Sequence, residues 1–129
     1  MKNNTPALVV EVITKTEPNI LSIVDDWIEV KNLVKHLVEM EEYASNLVPD
    51  EVGKRSYLQN NLVREMLNSD DEAEESADTL RGLAGEPGET LSAEERKWAE
   101  LSLNSCKENL IHRMGRLQKA IVLVRKEVA

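Results

Sequence analysis

From Pro18 onward the apolar residues Ile20, Ile23, Val24, Trp27, Val30, Val34, Leu37, Met40, Ala44 and Leu47 recur largely at steps of three and four. That spacing lays them along one face of a helix and predicts a long first helix ending near Pro49. A second apolar set, Tyr57, Leu58, Leu62, Met66 and Leu67, follows Asp50, a candidate N-cap, with Gly53 weakening the first turn. It predicts a second helix running to about Asn68. Beyond it, "ADTLRGLAGEPGE" has room for one more short helix before Gly85, Pro87 and Gly88 close regular structure in a loop over 85–90.

The last segment carries the clearest pattern. Ser92 and Glu95 in "LSAEERKW" form an S-x-x-E capping box, in which each side chain satisfies a backbone donor left free at a helix start. Ala99, Leu103, Cys106, Leu110, Met114, Leu117, Ile121, Val124 and Val128 then keep a spacing close to 3.6 residues. A straight C-terminal helix from about residue 93 is expected. Glu94 and Glu95 at its start and Arg125 and Lys126 at its end complement the helix dipole. Stripes of this kind are buried most simply in an all-α, antiparallel bundle of three to four helices, spanning 18–129.

Residues 1–17 stand apart from this pattern. "ALVVEVIT", Ala7 to Thr14, is rich in β-branched residues, which favours a strand, whereas Thr5 followed by Pro6 suits a helix start. The expectation is a short strand or contact arm, with a short helix or loose tail as the alternative. A lone strand would need another chain, water or a sheet edge for its backbone groups.

Composition supports the helical reading. The chain has 129 residues, enough for one core, and only 3% aromatic residues with no Phe, so Leu, Val, Ile, Ala and Met must fill that core. The net charge of −8 disfavours nucleic acid as a partner, because affinity for it comes largely from Lys and Arg contacts to phosphate. No stretch approaches the apolar length of a membrane span, and no signal peptide is evident at the start, so a cytoplasmic protein without a membrane partner is expected. A single Cys, Cys106, rules out an intrachain disulfide and fits a reducing compartment.

Charge is sorted along the chain. "NSDDEAEESAD", Asn68 to Asp78, holds six acids and no base, and removing them would take the net charge from −8 to −2. Lys107 to Lys126 carries six Lys or Arg against one Glu. The acidic segment 70–78 reads as a solvated linker or helix start, as an electrostatic partner for the basic helix, or, with less weight, as a decoy for a basic surface. On the last helix, Arg113, Arg116 and Lys119 fall off the apolar seam and flank it, a pattern that suits an acidic partner helix, a membrane surface or phosphate. No aromatic interleaves with them, so protein pairing is preferred over single-strand binding. Gly115 marks either a close approach of another backbone or a tolerated glycine.

Catalytic candidates are few. His36 and His112 have no H-E-x-x-H or C-x-x-C companion and read as surface positions, and Cys106 falls on the apolar stripe as a core residue. Glu39 with Glu42, and Glu75 with Asp78, are acidic i,i+3 pairs that could hold Mg²⁺ on neighbouring helices. In this spacing alone the chain resembles the all-helical MazG-type nucleoside triphosphate pyrophosphohydrolases. The resemblance implies, as the alternative function, Mg²⁺-dependent hydrolysis at a nucleotide's pyrophosphate. The leading expectation is a non-enzymatic protein-protein interaction module of adaptor, chaperone or inhibitor type, without cofactor. It would self-associate through its long helices as a coiled-coil homodimer or other homo-oligomer, with Trp27, Arg113, Arg116 and Lys119 as interaction residues.

Overall fold

The structure, a computed structural model, describes residues 18–84 and 92–128. Within them three helices pack together: α1 (Pro18–Ser45), α2 (Tyr57–Ala84) and α3 (Ala93–Val128), with a short 3-10 turn, Val52–Lys54, after the first. The described residues are all-helical and contain no strand, in keeping with the expected fold class. The segment 7–14 expected as a strand or arm and the loop 85–90 lie outside the described residues. No described helix is long and apolar enough to cross a membrane.

The first helix is described from Pro18 and stops a turn short of Pro49. Its last carbonyls find partners in the tightened last turn, where the Asn46 and Leu47 N–H groups donate to the Tyr43 and Ala44 carbonyls, and in local side chains. Ser45 Oγ and Asn46 Nδ2 both donate to the Glu42 carbonyl, at 2.7 and 3.3 Å. The chain then turns around Arg55, whose guanidinium donates to the carbonyls of Pro49 (2.9 Å) and Asp50 (3.3 Å).

The second helix departs from expectation at both ends. It is capped by Ser56 rather than Asp50: Ser56 Oγ accepts from the Gln59 N–H at 3.1 Å, while Gln59 Oε1 accepts from the Ser56 N–H at 2.9 Å. This is a second capping box, S-x-x-Q, written in the sequence as Ser56 to Gln59. Nor does the helix stop at Asn68. It runs unbroken through the acidic segment to Ala84, so the expected second helix and short extra helix are one element of 28 residues. The acidic run is amphipathic in a way that hydrophobicity alone hides: it leaves Ser69, Ala73 and Ser76 uncharged at steps of four and three, and all three are buried. Tyr57 and Leu67, expected on the inner stripe, are instead 80% and 63% exposed.

In α3 the capping box forms as read, with Ser92 N–H donating to Glu95 Oε1 at 2.7 Å and Glu95 N–H to Ser92 Oγ at 3.1 Å. Its apolar stripe is the spine of the core. Ala99, Leu103, Cys106, Leu110, Leu117, Ile121 and Val124 are buried, and Met114 packs at their edge. Against it α1 sets Val30, Leu37 and Ala44, and α2 sets Leu62, Ala73 and Leu80. Each fully buried Leu contributes about 1.5–3 kcal/mol by leaving water.

Candidate functional site

Polar side chains enter the bundle on the stripes that its core uses. Glu65 lies one turn beyond Leu62 on α2 and is buried. Arg116 of α3 reaches it with both arms, Nε to Oε1 at 3.2 Å and a terminal nitrogen to Oε2 at 2.9 Å. This bond, ahead of the opposing effect of burial, holds the Glu65 carboxyl below the usual carboxylate range, with Arg113 and Arg64 adding attraction. Between α1 and α3, Lys107 Nζ donates to Asp26 at 2.9 Å and lies 3.5 Å from Glu29. The Asp26 bond raises the Lys107 pKa.

Glu41 meets different surroundings. It follows Trp27 and Val34 at seven-residue steps on α1, so it takes a place on the inner stripe. Its Oε2 is buried without a hydrogen-bond partner, as is Ser69 Oγ on α2. Burial, and then the negative charge of Asp70, push its pKa from 4.5 to about 7. On the neighbouring turn of α2, burial and Glu75 also raise Glu72, partly opposed by a 3.3 Å bond from Ser76 Oγ and by Arg113.

The expected interaction residues fall into two settings. Trp27 is packed against the core, its indole Nε1 donates to the Leu80 carbonyl at 3.4 Å, and Lys31 sits over its ring at 5.2 Å. Arg116 is committed to Glu65 on one side and borders a groove on the other, where it is joined by Lys119, His112 and Gly115. Arg113 is half-buried beside that pair. Gly115 has nothing within 4 Å of where a Cβ would stand, so no other backbone of the described residues approaches it.

The catalytic candidates do not converge. Glu39, Glu42, Glu75 and Asp78 are all exposed, and Asp78 pairs with Arg81 on its own helix. His36 and His112 are exposed, and Cys106 is buried as expected. Among the described residues no three His, Cys, Asp or Glu side chains form a group that could hold a metal ion.

Sequence reasoning missed Glu41, Glu65 and the buried serines. A signal for them existed in register: Leu62, Ser69, Ser76 and Leu83 are spaced by sevens, so two serines continue the apolar seam. No protein-family model, curated protein or solved structure matches the chain.

Proposed function

We propose that the protein is a non-enzymatic interaction module that associates with protein, including a second copy of itself. The observation that carries this is the outer groove between α2 and α3, which keeps large apolar and charged side chains exposed along its length. Trp98 and Leu101 are 60% and 61% exposed, and Ile111 is 56% exposed. Exposed apolar groups gathered on one face and rimmed by charge mark association sites. Arg116 and Lys119 act at this groove, while Trp27 serves by holding α1 against α2.

In this reading the helices form an antiparallel, up-down-up bundle, which presents α2 and α3 side by side. Three contacts support that arrangement. Trp27 meets Leu80, Gln59 meets Leu47 (3.2 Å), and Ser56 meets Glu127 (2.7 Å), so early residues of one helix pair with late residues of the next. The exposed, separated carboxylate pairs lend less support to pyrophosphate hydrolysis.

The reading predicts a species larger than one chain in light scattering coupled to size exclusion, growing with concentration, and no pyrophosphate release from nucleoside triphosphates with Mg²⁺. A chain that stays monomeric and captures no stoichiometric protein would overturn it. Turnover abolished in Glu42→Gln would establish the alternative.

A further inference from the structure

The groove between α2 and α3 is one stripe with two chemical halves. On α3 its two depressions are lined from Ser102 to Leu123 at steps of three and four, and on α2 by Asn61 and Glu65 in one and by Glu72, Glu75, Ser76 and Thr79 in the other. The half nearer the start of α3 is acidic, with Glu72 and Glu75 facing the exposed Trp98 and Leu101, and no Lys, Arg or His lines it among the described residues. The other half is basic. Arg116 and Lys119 line it, Arg64 reaches Asn61 at its rim (2.9 Å), and Ile111 and Leu123 are its exposed apolar groups. Only Glu65 opposes these charges there, and it is already taken by Arg116.

A two-fold interface must be self-complementary, because the same patch meets itself. A face of one charge throughout would repel its copy. Here an axis crossing the groove near its middle sets the acidic half of each copy against the basic half of the other. We propose that this groove is the contact face of an isologous dimer, with Glu75 of each copy paired to Lys119 of the other and Trp98 and Leu101 packed against Leu123. The proposal rests on the self-association reading above and supplies its face and register.

The dimensions suit it. The 21 residue steps from Ser102 to Leu123 span about 32 Å at 1.5 Å per residue. Two neighbouring helices with their side chains are about 20 Å wide, so the face covers about 600 Å² per copy and about 1,200 Å² in all. That is the lower end of the range for specific association. A dimer held there should be reversible and, with its charges at the rim, weakened by salt.

The test uses the full chain with single charge reversals, Glu75→Lys and Lys119→Glu, both at exposed positions that make no hydrogen bond needed by the fold. Circular dichroism checks that each variant folds. Each alone should weaken self-association about tenfold or more, and an equal mixture of the two should recover it, because each copy then offers the partner the sign it lacks. Carbodiimide cross-linking of mixed isotope-labelled and unlabelled wild-type chains should join Glu75 to Lys119 between chains. Wild-type association untouched by either reversal, with cross-links elsewhere, would overturn the face while leaving self-association standing. Wild-type chains monomeric at every concentration would overturn both. Cross-links placing residues 1–17 of the same chain in the groove would give the groove another occupant and overturn the dimer face.

Discussion

Glu65 and Glu41 both turn carboxylates toward the interior of the bundle, one between α2 and α3 and the other between α1 and α2. Around Glu65, Arg116 supplies two hydrogen bonds and a full opposite charge, and the carboxyl is held ionised below the usual range. Around Glu41, one oxygen finds no donor, and burial together with the like charge of Asp70 raises the pKa to about 7. Burial is common to both, so the partner decides the protonation state. Along α2 the buried side chains also differ in size, from large Leu62 one turn before Glu65 to small Ser69, Ala73 and Ser76 in the acidic run. The first half of α2 is held by Leu62 and the paired charge of Glu65, and the acidic half by the small Ser69, Ala73 and Ser76 together with Leu80.

The largest effect expected from this contrast is at Leu62. Leu62→Ala removes a fully buried side chain and should cost about 2–5 kcal/mol in denaturant unfolding. Ser76→Ala, in the other half, should be near neutral, since it gives up only a 3.3 Å bond to Glu72. Equal losses at the two sites would dissolve the distinction.

Next in size is the pH dependence. The folded chain holds the Glu41 proton more tightly than the unfolded chain does, so the stability it contributes is full below pH 4.5 and is lost as pH rises through about 7. Glu72, raised in the same direction by burial, adds to this slope. Glu65 acts in the opposite sense: its contribution is present above the ordinary carboxylate pKa and disappears as pH falls through its lowered value. Stability should therefore peak in mildly acidic solution and decline toward pH 8. Glu41→Gln should flatten the alkaline limb and gain about 1–2 kcal/mol at pH 8, allowing for water on its open side. Urea melts at pH 5 and pH 8 measure it, and an unchanged slope in the variant would place the titration elsewhere.

Two smaller changes sharpen the picture. Ser69→Ala deletes a buried hydroxyl with no partner and should stabilise by about 1 kcal/mol, read from the shift in the urea midpoint. Gly115→Ala adds a methyl into open space on α3 and should gain about 0.5–1 kcal/mol of helix stability when melted at high dilution. A gain at high dilution that turns into a loss at concentrations where chains associate would mean that a second chain approaches this position.

The C-terminal helix was legible from the sequence because two independent signals agree. Its capping box fixes the start, and its apolar positions keep one period across about eight turns. The acidic helix was not legible by the same means. A hydrophobic stripe announces itself through Leu and Val, whereas Ser69, Ala73 and Ser76 carry so little hydrophobicity that a buried face looks like a solvated run of charge. The position of the charges held the missing information, since they avoid three positions at helical spacing. Ser56 was overlooked as a cap because Asp50 stands nearer the apolar break and Gln59 completes its box less conspicuously than a Glu would. Of the candidate site, Arg116 and Lys119 were visible as residues off the seam, but the pairing of Arg116 with Glu65 required knowing that α2 and α3 are neighbours.

The central claim is that this chain works by association. Sedimentation velocity of the 129-residue chain across a hundredfold range of concentration, at low and at high salt, tests it most directly. Association predicts a boundary that moves from one-chain to two-chain mass as concentration rises and retreats when salt is added. A single one-chain boundary at every concentration, unchanged by salt, would contradict it.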